Sequence, residues 1–215
     1  MKAVVFDMDG LLFDTERLCM KSWVQVAKEW DIPDMEKVFP QCIGLNANDT
    51  RSLVLAHYGQ DFPLEKFQKE ASDWFRADIA QNGLPVMTGV KEILSYLNTT
   101  DYLIGLASST KYDSVVKKLE MAGIREYFSV IVTGDMVEHS KPRPDIYLLA
   151  CEKLGVEPGQ AYALEDSPNG IRAAHSAGMK PIMVPDMIAP DEEMERLSFL
   201  ICKDLLQVKD FLAKK

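Results

Sequence analysis

Five short apolar runs punctuate the chain: Ala3–Phe6, Tyr102–Ala107, Val130–Val132, Ala161–Leu164 and Pro181–Val184. Each is too short for a core helix and lacks polar alternation, which fits strands buried on both faces of a parallel sheet. Apolar residues recur at helical spacing between most of them, over Gly89–Leu97, Lys111–Met121, Asp145–Lys153 and Asn169–Ala177. Gly123, Gly155 and Gly178 follow three of these stretches as stop signals. Such alternation predicts an α/β fold, a parallel sheet with crossover helices.

The span between the first two runs breaks that rhythm. From about Glu16 to Asn82 the periodicity is helical throughout, with Trp23, Val26, Ala27 and Trp30 on one face. Leu53, Val54 and His57 repeat likewise, as do Phe67, Ala71, Trp74 and Phe75. A simple crossover needs one helix, and this span is long enough for four. It reads as a helical insertion with stems near Leu12–Thr15 and Asn82–Val86, where Gly83 and Pro85 stand. The predicted organisation is a core of residues 1–14 plus 84–215 and a helical cap of residues 15–83. An insertion at this point of the sheet can close over a ligand and exclude water. Trp23 and His57 read as cap core, and Met8, Met87 and Met136 as core filling.

Composition narrows the function classes. Of 215 residues, 47% are apolar and 27% charged, an ordinary globular balance. A net charge of -9 argues against non-specific binding to nucleic acid or an anionic membrane. It leaves a small phosphorylated metabolite open, because a local cation can reverse the sign inside a cleft. Cys19, Cys42, Cys151 and Cys202 form no C-x-x-C pair, so reduced cysteines are expected rather than zinc or disulfides. With no signal-peptide pattern and no run long enough to span a membrane, the expected location is the cytoplasm.

The chemistry gathers where the strands end. Asp7-Met8-Asp9-Gly10 closes the first run. Two carboxylates there are costly unless a cation or proton neutralises them, and a hard ion such as Mg²⁺ suits oxygen ligands. Ser108, Ser109 and Thr110 follow the second run at a helix start, where hydroxyls and N–H groups bind phosphate. Lys141 lies in Ser140-Lys-Pro-Arg-Pro-Asp145, a loop stiffened by two prolines. Glu165-Asp166 closes the fourth run before another helix start. Each motif alone has an ordinary explanation as a turn, an N-cap, a solvated lysine or a dipole-complementing pair. Four complementary polar groups, each at a strand's carboxyl end, are hard to obtain by accident.

This ordered set resembles the haloacid dehalogenase-like superfamily over the whole chain. Asp7-Met-Asp9-Gly10 matches its first motif, Ser108 its second, Lys141 its third and Glu165-Asp166 its fourth. The strings Phe6-Asp-Met-Asp-Gly-Leu-Leu-Phe-Asp14-Thr15-Glu16, Lys141-Pro-Arg-Pro-Asp145 and Leu164-Glu-Asp-Ser-Pro-Asn-Gly170 narrow the resemblance to the group similar to β-phosphoglucomutase, which carries a helical cap. The resemblance implies a Rossmann-like core and a Mg²⁺-dependent phosphoryl transfer. Asp7 would be the nucleophile and Asp9 the acid–base group. Ser108 and Lys141 would hold phosphoryl oxygens, with Gly10 and Ser109 helping through backbone N–H groups. Mg²⁺ would be held by the Asp7 carboxylate, the Asp9 carbonyl and Asp166, with Glu165 direct or through water. A monomer is the family default.

The acid at Asp9 favours phosphoryl transfer over dehalogenase or phosphonatase chemistry, whose enzymes lack it. Mutases of the group carry a cap histidine, a lysine and an arginine where this chain has Cys19, Ile43 and Ala47. The expected activity is therefore a phosphatase on a small phosphate monoester, a sugar phosphate first. A phosphosugar mutase is the alternative, and a non-catalytic binding module a lesser one. Asn46 and Arg51 of the cap loop are the candidate substrate contacts.

Overall fold

The apolar runs pair into a six-stranded sheet in the computed structural model, which describes residues 1–43 and 47–214. The strands are β1 (Ala3–Phe6), β2 (Leu103–Ser108), β3 (Val130–Thr133), β4 (Ala161–Glu165), β5 (Lys180–Met183) and β6 (Leu200–Ile201). Every neighbouring pair is parallel, in the order β3-β2-β1-β4-β5-β6. β1 has all four residues fully buried, as expected for an inner strand covered on both faces. The strand order reverses at β1, and a crevice opens beyond the carboxyl ends at such a switch point. The architecture is the expected α/β, Rossmann-like parallel core with an inserted helical segment.

Two compact units make up the chain. The first comprises Met1–Phe13 and Val86–Lys215, and the second Asp14–Pro85. The second unit holds α1 (Thr15–Glu29), α2 (Met35–Cys42), α3 (Ala47–Tyr58) and α4 (Leu64–Asn82). Its own core is aromatic: Trp23 meets Phe39 and Phe67 edge-on, each at 5.3 Å between ring centroids. Trp30 also packs on Phe67, and its indole N–H donates to Glu70 at 2.8 Å. His57 is not part of this core. On α3 the buried positions are Val54 and Leu55, and His57 is exposed beside Tyr58.

The first unit carries α5 (Val90–Leu97), α6 (Tyr112–Met121), α7 (Asp145–Leu154), α8 (Pro168–Ser176), α9 (Glu192–Leu197) and α10 (Leu205–Leu212). Local signals place these ends. Ser167 caps α8 by accepting from the Gly170 N–H at 3.1 Å, and Pro168 supplies the first helical position. Gly155 ends α7 at φ +68°, a conformation that favours glycine. β6, α9 and α10 were not among the sequence expectations. β6 has two half-buried residues, too few to show a period. Met136 is 41% exposed and fills no core, unlike the fully buried Met8.

Candidate active site

Sheet register assembles the site. Phe6 is level with Leu106 on β2 and with Leu164 on β4, so Asp7 emerges between Ala107 and Glu165. The Asp7 N–H donates to the Leu164 carbonyl at 2.9 Å, extending the ladder by one residue. Asp7 and Glu165 are buried at 8% and 0% exposure, with Asp166 half-buried beside them. One carboxylate oxygen from each of the three lies within 4.8 Å of the others.

Lys141 reaches into this cluster from the loop before α7. Its Nζ donates to Asp7 Oδ1 at 2.5 Å, to Glu165 Oε1 at 2.6 Å and to the Ala107 carbonyl at 3.0 Å. Tyr147 on α7 closes the deep end: its hydroxyl donates to Glu165 Oε1 at 2.7 Å, and its ring lies under the Lys141 ammonium at 5.0 Å. The Ser167 hydroxyl donates to the other Glu165 oxygen at 3.0 Å. A buried glutamate is thereby satisfied on both oxygens, as buried charge requires.

The electrostatics are unbalanced. Burial pushes the Asp7 carboxyl up to about 7, with Lys141 opposing the rise and Glu165 adding to it. Burial, then Glu165 and Asp7, holds the Asp166 carboxyl well above the carboxylate range. For Lys141, burial works against the charge, but Asp7 and Glu165 outweigh it and hold the ammonium above the usual lysine range. Burial, followed by Glu165, keeps the Tyr147 hydroxyl well above 10 and hence a donor. Three carboxylates facing one lysine leave a surplus of negative charge, and a divalent cation would neutralise it. The three-acid cluster is compatible with such an ion.

Two glycines let the acids crowd together. A Cβ on Gly10, at φ +85°, would stand 2.2 Å from Asp166 Oδ2. A Cβ on Gly170 would fall 1.8 Å from Glu165 Cδ. Neither position tolerates a side chain without moving an acid of the cluster.

The two aspartates of the first motif face different partners. Asp9 donates no carboxylate to the three-acid group; its oxygens accept from Thr110 Oγ1 at 2.8 Å and Lys118 Nζ at 2.5 Å. Ser108 is buried at the end of β2, and its Oγ accepts from the Thr110 N–H at 3.1 Å. Ser109 is exposed in the same turn. Asp7, Asp9, Gly10, Ser108, Ser109, Lys141, Glu165 and Asp166 thus all belong to the first unit. Of the two cap-loop candidates, Arg51 belongs to the second unit and pairs there with Glu65 at 3.5 Å. Asn46 lies outside the described residues.

Lys118, Tyr147 and Ser167 were missed as functional residues in the sequence, and Thr110, read there as a phosphate-binding hydroxyl, instead donates to Asp9. Tyr147 hides in the apolar string Ile146-Tyr-Leu-Leu-Ala150 and reads as filling. Lys118 left one signal. It lies three residues after Val115 and just before Leu119, both fully buried, at the margin of the α6 face turned to the core.

Comparison with known proteins agrees with this geometry. Residues 4–184 match the family model described as haloacid dehalogenase-like hydrolase. A phosphorylated carbohydrates phosphatase of Thermotoga maritima is 33% identical over 182 residues, covering 85% of this chain and 84% of the relative. Hexitol phosphatase B of Escherichia coli is 30% identical over 213 residues, 95% and 96% of the two chains. A β-phosphoglucomutase of Bacillus subtilis is also 30% identical, over 185 residues, 83% and 81% of the two chains. Among solved structures, a hydrolase of the same family from Deinococcus radiodurans with bound phosphate and sodium superposes with a TM-score of 0.84. It is 25% identical and covers 100% of this chain and 96% of its own.

Proposed function

Because the chain belongs to the haloacid dehalogenase-like hydrolases, we propose that it is a Mg²⁺-dependent phosphatase of small phosphate monoesters that works through an aspartyl-phosphate on Asp7. The observation that carries the reading is the separation of the two motif carboxylates. Asp7 lies in a buried cluster with Lys141, and Asp9 is held apart by Thr110 and Lys118.

The separation fits two jobs. An Asp7 oxygen bonds to phosphorus as the ester P–O bond breaks, and Asp9 gives its proton to the departing oxygen. Asp9 then takes a proton from water as the water oxygen bonds to phosphorus and the Asp7–phosphorus bond breaks. Lys141 and the Ser108 hydroxyl hold the transferring oxygens, since phosphoryl transfer asks mainly for positioning and charge compensation. Mg²⁺ would be held by Asp7, Asp166, the Asp9 carbonyl and Glu165, the last directly or through water. When bound it supplies positive charge to the phosphoryl oxygens.

The preferred substrate class is a phosphorylated sugar or polyol, in line with the names of the first two relatives. Hydrolysis is favoured over mutase chemistry by the residues in place of the mutase cap cations. Burial pushes the Cys19 thiol up to about 12, so it stays neutral, and Ile43 is apolar. The test is a Mg²⁺-dependent phosphate-release screen over small metabolites, with Asp7→Asn beside the wild type. Phosphate release by the wild type alone supports the reading. Equal inactivity of both overturns it, as does interconversion of β-glucose 1-phosphate and glucose 6-phosphate faster than phosphate release.

A further inference from the structure

We propose that Lys118 and Thr110 form a clamp that fixes the Asp9 carboxylate for proton transfer, which makes Lys118 a positioning residue. The inference rests on the acid–base reading of Asp9 and extends it to a helix that no motif of the site includes. Both donors are themselves anchored. The Thr110 N–H donates to Ser108 Oγ at 3.1 Å, and its carbonyl accepts from the Gly134 N–H at 3.2 Å. Lys118 rides on α6 between the fully buried Val115 and Leu119, and its side chain is only 20% exposed. An aspartate has two rotatable side-chain bonds, and donors to different oxygens from two separately anchored places restrain both.

The two donors differ in a way that suits a proton-shuttling group. A hydroxyl can donate to a carboxylate or accept from a carboxylic acid, whereas an ammonium can only donate. Thr110 can therefore stay bonded to Asp9 Oδ2 in either sense while Lys118 holds Oδ1 by donation, so the clamp persists as Asp9 gives up and regains a proton. The acid delivers that proton to the leaving oxygen as the phosphorus–oxygen bond breaks and regains one from the attacking water. Lys118 also places a positive charge against the Asp9 carboxylate. That charge offsets repulsion between Asp9 and an incoming phosphate dianion.

The test uses leaving groups. 4-Nitrophenyl phosphate releases a phenolate that needs no proton, whereas alkyl phosphates (glucose 6-phosphate, sorbitol 6-phosphate, glycerol 3-phosphate) release an alkoxide that does. Lys118→Met is expected to lower kcat/KM about 10- to 100-fold on the alkyl esters, the scale of a misplaced catalytic group. On the aryl ester it should change by less than about threefold, with KM little altered on either. Lys118→Arg should recover most of the loss, and Lys117→Met, on the exposed side of α6, should lose nothing. In an Asp9→Asn background, Lys118→Met should have no further effect. Equal losses on both ester classes, or an undiminished loss in the Asp9→Asn background, overturn the clamp while leaving the phosphatase intact. A wild-type chain inactive on every ester overturns the parent reading and the clamp together.

Discussion

Replacing Lys141 by Met tests whether the cluster is held together by charge. The side chain is 7% exposed and its ammonium bridges two buried carboxylates, at 2.5 Å to Asp7 and 2.6 Å to Glu165. Methionine keeps most of the volume and removes the charge, so packing changes little. Removing one partner of a buried ion pair costs about 3–5 kcal/mol, because the remaining charge is left uncompensated. The loss should depend on pH. The Asp7 carboxyl already stands at about 7 in the metal-free protein, and Lys141 is the main influence holding it down. Without Lys141 it rises further. A folded-state pKa raised above the unfolded value means that the folded state binds more protons between the two values. Stability therefore falls as pH rises through that window. For the Asp7 carboxyl of the wild type this fall levels off just above pH 7, whereas the variant continues to lose stability beyond that point. The stability difference should thus be largest at pH 8–8.5 and shrink towards pH 5.5, and Mg²⁺ should reduce it by supplying positive charge. Hydrogen exchange of the β1 and β4 amides in EDTA is the appropriate assay. Trp23, Trp30 and Trp74 all lie in the Asp14–Pro85 unit and would report on the other unit. A loss under about 1 kcal/mol, or one independent of pH, would refute the charge argument.

Two further outcomes concern the metal. Gly10→Ala should weaken Mg²⁺ binding about 10- to 100-fold in calorimetry with the fold retained, because its Cβ would stand 2.2 Å from Asp166 Oδ2; unchanged affinity would show that Asp166 is not a ligand. Mg²⁺ binding should release protons below pH 7, since the Asp7 carboxyl at about 7 must ionise to bind it. Apparent affinity should then climb with pH through 7 and level off only once Asp7 and Asp166 are both ionised, and calorimetry in buffers of different ionisation enthalpy would expose a pH-independent affinity as a contradiction.

The central sheet was legible because buried parallel strands leave uninterrupted apolar runs, and β1 to β5 all do so. The edge was not: β6 is Leu200–Ile201, held by pairing with Ile182 and Met183 rather than by any pattern of its own. The four helices of the second unit were legible as a count from length and period. Face assignment on α3 failed at His57, because Leu53-Val-Leu55 offers two possible helical faces and only packing selects the one with Val54 and Leu55. The motif acids and Lys141 were legible from their positions at strand ends. Their supports were not, because Tyr147, Ser167 and Lys118 reach the acids across 18, 2 and 109 residues of sequence, and two of the three look like ordinary helix residues.

The separation of Asp7 from Asp9 has a local cause. In a continuing strand, residues two apart point to the same face, and both carboxylates would enter one cluster. The chain instead turns at once. The Leu12 and Phe13 N–H groups donate back to the Met8 carbonyl, and the Gly10 N–H donates to the Phe13 carbonyl. Gly10 adopts φ +85° to allow this, and the same missing side chain leaves room for Asp166. One glycine thus serves both halves of the site. It turns the chain so that the Asp9 side chain meets Thr110 and Lys118, and it lets a third acid close on Asp7. The surplus negative charge collects at Asp7, Glu165 and Asp166, where a cation and a phosphate can be held. Asp9, the proposed acid–base group, stands beside that charge with a lysine of its own. On the proposed function, a chain with net charge -9 can receive an anionic ester, because the local sign at the site would be set by Lys141, Lys118 and a bound cation rather than by the total.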